Sequence, residues 1–457
     1  MRISHLFILL AASAMLTACD FLDEYNPNSV TVGNYYTSEE DIVASLNGVY
    51  TSLTQSYVAD NYHYFTDVRA NATVVTNSGA NSGIPYQFYN YTLTEENVYV
   101  YNRYSQLYKI ISRANTLFAH LGDVSYATPS ARDTYEAEAR FLRALSYYWL
   151  VTEWGDVPLV LKVLESTEEV RANNYRRPKA EIYQAIFDDL KYVTESPLPD
   201  VQPASACGKV SKAAAWALWG KALLQQACDE DFIGSKSELL GQAIGKLTAA
   251  WDLRKFGELS SVSYSSVWDL STQKSCAENI FQVNYIQGNA DLGSVWNYMY
   301  GPEGAGVTSQ RKGEMQNVTI QAVYDSFEPG DVRRSFLRAT NKAGQTYYHT
   351  MKYADLECGA NGYGGNNWIV LRYADVALML AEAYYWSKEE TLAKTWLNKV
   401  RERAGLGDWS GSDLRQGIYD ERLHEFMQEG LRWQDLLRMY AVSYTHLRAH
   451  ETRRHLV

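Results

Sequence analysis

The chain has 457 residues, 46% of them hydrophobic, and 42 Lys and Arg against 53 Asp and Glu give it a net charge of −11. That length and apolar content allow a large core, in one big domain or two closely packed ones. The acidic balance, with no basic stripe, argues against nucleic-acid binding and against electrostatic attachment to anionic lipid.

The first feature along the chain is a leader. Arg2 opens it, and Leu6 to Leu16 is an apolar run too short for a bilayer span, which takes roughly 20 residues. The run ends in Leu16-Thr17-Ala18-Cys19, which resembles the bacterial lipobox. The resemblance implies cleavage before Cys19, a diacylglycerol thioether on its sulfur and acylation of the new amine. Two or three acyl chains hold a protein firmly where one does not. Residues 1–18 are therefore expected to be a lipoprotein signal peptide, and 19–30 the lipidated cysteine and a polar tether.

Ser38, followed by Glu39, Glu40 and Asp41, predicts a helix N-terminus, since a side-chain oxygen satisfies free N–H groups there and acids suit the dipole. Residues 60–100 are rich in Gly, Asn and Tyr and read as loops. Further helices are predicted over 101–121 and 131–152, the second with Phe141, Leu142, Leu145, Tyr148 and Trp149 on one face. Gly155 and Pro158 stop it. Helices follow at 179–192, 211–227 (Ala- and Trp-rich) and 239–251. Residues 256–370 mix strand-like pieces, such as Ile280 to Val283, with Gly- and Asn-rich loops. Helices return at 373–386, 389–404 and 413–439. Paired helices with small-residue seams suggest a scaffold like tetratricopeptide repeats, although no strict 34-residue period is visible.

Besides Cys19, the cysteines are Cys207, Cys228, Cys276 and Cys358. Their wide spacing fits neither a zinc set nor a disulfide scaffold. They read as buried thiols, with one or two disulfides left open. The 36 Tyr and 12 Trp each offer a flat apolar face with a polar handle, which suits sugar rings as well as helix seams.

Several long strings carry a family resemblance. Glu138-Ala-Arg-Phe-Leu-Arg-Ala-Leu-Ser-Tyr147 runs on to Glu153-Trp-Gly-Asp-Val-Pro158. Gly208-Lys-Val-Ser-Lys212, Arg372-Tyr-Ala-Asp375 with Glu382, Asn398-Lys-Val-Arg401 and Glu421-Arg-Leu-His-Glu425 with Glu429, Gly430, Arg432, Asp435 and Arg438 complete the set. Together these strings resemble the SusD/RagB family. The resemblance implies a mostly α fold, in which a tetratricopeptide-like scaffold carries a loop-rich, aromatic ligand-binding region. It implies an outward-facing outer membrane lipoprotein that binds an oligosaccharide or another nutrient. Its implied partner is a TonB-dependent transporter of the SusC type. Asp20, Asp23 and Glu24, just after Cys19, fit the acidic export signal of such lipoproteins. On this reading residues 31–442 are the binding domain. Glu138, Arg140 and Arg143 suit helical ion pairs, and Arg372, Asp375 and Glu382 suit buried networks, so the strings themselves read as structural.

Ligand candidates are chosen by chemistry. Asp67 and Arg69 can hydrogen-bond hydroxyls, and Tyr99 and Tyr101 can stack on sugar. Trp296, Tyr298 and Tyr300 would share one side of an extended segment. A surface adhesion or assembly protein that binds peptide or protein stays open as the alternative.

Residues 443–457 resemble a translated sequencing adapter and are expected to be a non-native tail, with the natural C-terminus cut short. His446, His450 and His455 lie there, and His450-Glu451 is followed by His455 at five residues rather than the four of a zinc-protease helix. No cofactor or metal is therefore expected. Gly407-Asp-Trp-Ser410-Gly lacks nucleophile-elbow spacing. Gly301-Pro-Glu-Gly304-Ala-Gly306 lacks the Lys-Ser/Thr of a phosphate loop. A glycosidase pair of carboxylates is not identifiable by spacing, and the chain is read as a binding protein, not an enzyme.

Overall fold

The computed structural model describes residues 35–76, 83–229 and 232–440. Cys19 with its leader and tether, Asn77, Gly79 and Asn81, and the tail with His446, His450 and His455 lie outside the described residues.

Helix α1 (Glu39–Thr51) begins as expected. Ser38 accepts from the Asp41 N–H while Asp41 accepts from the Ser38 N–H, a capping box that satisfies two free donors at once. α2 (Ile84–Tyr89) is a short helix with Pro85 in its first turn. Then come α3 (Val98–His120), α4 (Ala131–Trp154), α5 (Thr167–Asn173), α6 (Lys179–Glu195), α7 (Lys212–Ala227) and α8 (Lys236–Asp252). The later helices are α9 (Trp296–Met299), α10 (Gln321–Asp325), α11 (Tyr373–Trp386), α12 (Glu390–Arg403), α13 (Leu414–Glu425) and α14 (Arg432–Tyr440).

The long helices stack in chain order, each against the next: α1 on α3, then α4, α6, α7, α8, α11 and α12. This is the tetratricopeptide-like scaffold, and a continuous apolar cluster from Ile42 to Phe426 fills it. The small-residue seam works where α7 crosses α8. A Cβ on Gly220 would lie 2.5 Å from Leu247 Cγ, inside van der Waals contact. Among the described residues no helix is long and apolar enough to cross a membrane.

Two antiparallel sheets lie in the mixed region. β2 (Asn279–Val283) pairs with β6 (Trp368–Arg372). β1 (Thr73–Val74), β3 (Val318–Thr319), β5 (Gln345–Thr350) and β4 (Leu337–Lys342) form a four-stranded sheet in the order β1-β3-β5-β4. The β4–β5 hairpin closes from Lys342 to Gln345 through Ala343-Gly344, both left-handed, as a tight two-residue turn needs.

Two sequence expectations need correction. The helix expected over 413–439 is broken between Glu425 and Arg432. Gln428 and Gly430 are left-handed, at φ 61° and 81°. Gly430 donates its N–H to Asp67 Oδ2 (3.1 Å), and a Cβ there would meet the Tyr62 ring at 2.6 Å. The buried Lys352 ammonium donates to the carbonyls of Glu425 (3.1 Å) and Met427 (2.9 Å). These tertiary donors replace the helical bonds that local propensity would continue. Arg140 and Arg143, in turn, do not pair with Glu138. Both reach Asp189 on α6 (2.8 and 2.7 Å), and Arg140 also takes Glu136. Glu138 takes Lys209 and the Tyr50 hydroxyl.

The expected buried networks are present. Arg372 is held by Glu278, Glu425 and Glu429, and Arg403 by Glu278 and Glu425. Arg333 is held by Asp331, Glu421 and Glu425. Asp375 takes Lys221 and Arg422, and Glu382 takes Arg438. The side chains are almost fully desolvated, so loss of one partner is costly while the intact cluster adds little net stability. Cys228 and Cys358 are buried, Cys207 and Cys276 half-buried, and all four are free thiols.

A tyrosine-lined groove at the four-stranded sheet

The sequence candidates separate by burial. Asp67 sits in a π-helical turn (Tyr64–Val68) and is 1% exposed. Burial pushes its carboxyl up to about 7, against the pull of the Gly430 N–H and Lys352. Arg69 stacks on Trp433 at 3.9 Å, and its carbonyl accepts the Tyr91 hydroxyl. Tyr99 is buried with Tyr64, Phe65 and Phe88 in a second apolar cluster. Tyr101 is the outlier at 71% exposed.

The extended segment expected for Trp296, Tyr298 and Tyr300 is a helical turn instead, and all three are buried. On a helix, positions four apart share a face. Trp296 and Tyr300 accordingly both pack on Tyr353, at 5.4 and 5.8 Å, while Tyr298 lies under Arg311 at 3.7 Å. The Trp296 ring also meets Trp368 and Tyr285, extending an interior aromatic layer. The seven residues do not converge on one surface.

An open groove lies elsewhere in the same loop-rich half, with about 650 Å³ of space. Tyr86 and Tyr89 of α2 form one wall and the hairpin residues Lys342, Gln345 and Tyr347 the other, with Val74 to Thr76 and Ile320 to Ala322 between them. Pro85 starts α2 and Phe88 turns inward to Phe65 (4.8 Å). Tyr86 and Tyr89, three apart, then share the outer face.

The three tyrosines are half-buried. Partial burial raises the Tyr86 phenol above its usual range, and Lys342, Tyr347 and Tyr89 all act on it electrostatically. The Tyr347 hydroxyl donates to Gln345 Oε1 (3.2 Å). Beneath, Tyr348 donates to Gln321 Oε1 (2.8 Å) and stacks on Tyr324 at 3.8 Å. Gln321 also donates to Asp325 (2.8 Å), so its amide is fixed in place. Lys342, the one cation on the walls among the described residues, is paired with Glu303 at 2.6 Å. Such a site offers ring faces and amides to a neutral, hydroxyl-rich ligand.

Sequence reasoning marked the Tyr-dense region that holds Tyr86 and Tyr89 without singling them out, and missed Tyr347. The available signal was the β-prone run Thr346-Tyr347-Tyr348 just after Ala343-Gly344, a hairpin pattern. Among the described residues no cluster of His, Cys, Asp and Glu is placed to hold a metal ion.

Residues 293–454 match the SusD family, and residues 20–224 match the family described as starch-binding associating with outer membrane. The chain is 27% identical to SusD-like protein P2 of Formosa agariphila, over 96% of this chain and 90% of that one. Surface glycan-binding protein A from Bacteroides uniformis has a similar fold at TM-score 0.74 and 23% identity, over 88% of this chain and 89% of the other. Surface glycan-binding protein A from Bacteroides thetaiotaomicron, solved in complex with laminarihexaose, is similar at TM-score 0.73 and 20% identity, over 88% and 91%.

Proposed function

The chain belongs to the SusD/RagB family, and on that premise we propose that it captures an oligosaccharide or polysaccharide at the cell surface and passes it to a TonB-dependent transporter of the SusC type. In this reading Cys19 carries the lipid anchor, the binding domain (31–442) faces outward from the outer membrane, and capture involves no bond cleavage.

The observation that carries the proposal is the groove between α2 and the β4–β5 hairpin. Sugar rings present C–H faces ringed by hydroxyls. Tyr86, Tyr89 and Tyr347 supply flat apolar faces with polar rims, held on a helix and a sheet. Gln345 supplies an amide for hydroxyls. Tyr101 is a separate exposed platform. Trp296, Tyr298, Tyr300, Tyr99 and Asp67 are assigned to the layer beneath, where they stiffen the loops. The Bacteroides thetaiotaomicron relative, whose fold this chain shares, binds laminarihexaose, which supports a glycan as ligand.

The test is electrophoresis of a Cys19→Ala chain, free of the acyl anchor, in native gels cast with single polysaccharides. Retardation by one glycan is expected. Tyr347→Ala and Tyr86→Ala should each weaken it about tenfold, the scale of one lost stacking contact. A folded protein that no glycan retards would refute capture of polysaccharide and favour a peptide ligand.

A further inference from the structure

The walls of the groove carry a charge pattern that bears on which glycans enter. Apart from its tyrosines, Lys342 is the only ionisable residue on the walls among the described residues. It stands at the end of β4, beside the turn, and its Nζ donates to Glu303 Oε1 at 2.6 Å. Glu303 comes from the loop after α9. It is half-exposed, and its carboxyl is held below the usual range by the hydrogen bond from Lys342, with a smaller contribution from Lys312. The groove therefore presents a neutral pair where a lone lysine would present a cation. The chain around it carries a net charge of −11, and such a field repels polyanions at long range.

We propose that the groove selects neutral glycans over sulfated or uronate-bearing ones, and that Glu303, by pairing with Lys342, is the specificity-determining residue. The inference rests on the glycan-capture reading above. Glu303 acts against anionic ligands by occupying the cation on the described walls that could meet a sulfate or carboxylate. A solvent-exposed pair contributes little to stability, so its removal leaves the fold intact and changes only the field in the groove.

The experiment compares the Cys19→Ala chain with the same chain carrying Glu303→Gln, Glu303→Gln together with Lys342→Gln, Tyr86→Ala or Tyr347→Ala. Each is run in native gels and titrated calorimetrically with laminarin, starch and galactomannan, and with alginate, polygalacturonate and dextran sulfate. The unsubstituted chain is expected to bind one or more neutral glycans and none of the anionic ones. Glu303→Gln frees Lys342. It should raise affinity for an anionic glycan about fivefold at low ionic strength, and the gain should vanish at high salt. Lys342→Gln added to Glu303→Gln should abolish that gain, because no cation is then left on the described walls for an anionic glycan to meet.

Tight binding of an anionic glycan that is lost in Tyr86→Ala and Tyr347→Ala would overturn the charge selection and leave the groove as the site. So would a Glu303→Gln chain that gains nothing for any anionic glycan. Glycan binding untouched by both tyrosine substitutions would instead remove the groove reading itself.

Discussion

Asp67→Asn separates a ligand role from a structural one. Burial raises the Asp67 carboxyl from 3.8 to about 7, while its Oδ2 accepts the Gly430 N–H at 3.1 Å. A folded-state value above the unfolded one means that the folded protein binds the proton more tightly. The stabilisation is then fully present below about pH 4 and lost as pH rises through about 7. Three units correspond to roughly 4 kcal/mol as an upper bound, at 1.36 kcal/mol per unit. Asparagine keeps an oxygen for the Gly430 N–H and carries no charge to bury. Urea unfolding at pH values from 4 to 8 should show the Asp67→Asn chain losing less stability with pH than the parent. It should be the more stable of the two at pH 8 by about 1–3 kcal/mol, with glycan retardation unchanged. Asp60, half-buried and likewise raised to about 7, leaves part of the slope in both proteins. Parallel stability profiles would refute the burial argument. Loss of glycan binding with stability unchanged would return Asp67 to the ligand.

Lys352→Met removes three donated bonds, to Glu429 Oε1 and the Glu425 and Met427 carbonyls, and should cost about 3–5 kcal/mol in chemical unfolding. Amide exchange should quicken at residues 426–431, where those bonds hold the break between α13 and α14. Gly220→Ala sets a helix-propensity gain of about 1 kcal/mol against overpacking of about 1–3 kcal/mol at Leu247. The net loss should be relieved in the Gly220→Ala, Leu247→Ala double variant relative to Leu247→Ala alone. Tyr101→Ala removes an exposed ring outside the groove walls and should leave stability within about 0.5 kcal/mol, so any loss of glycan retardation would place a second contact there.

The scaffold was legible because its cause is local. Ser38 caps its helix as the sequence suggests, and α11 spans Tyr373–Trp386 as expected. Apolar spacing and small residues determine how such helices stack, and both are visible in one dimension. The break after Glu425 was not legible. Its cause is Lys352 and Asp67, which are far away in sequence and act through hydrogen bonds to the backbone. The four-stranded sheet was equally hidden, since β1 and β3 are two residues long and two residues show no alternation.

Most of the ligand candidates are buried, for a reason that also explains the groove. Tyr and Trp carry the same chemistry whether they stack on sugar or on each other, and sequence gives no burial. Trp296 and Tyr300 became a layer under the loops because Tyr353, Trp368 and Tyr285 meet them from other segments, and Tyr298 is covered by Arg311. Tyr86, Tyr89 and Tyr347 kept open faces because, among the described residues, no further layer lies above the six-residue helix and the hairpin tip. The strings that carry the family resemblance supply the buried charge clusters of α11 to α14. These lie in the scaffold, while the groove is lined by residues 74–76, by Tyr86 and Tyr89, by residues 320–322 and by the hairpin at Lys342 to Tyr347. Substitutions in the groove can therefore alter ligand choice with little effect on the fold. Glu303→Gln tests that separation most sharply, because it changes the charge offered to a ligand without altering a buried contact.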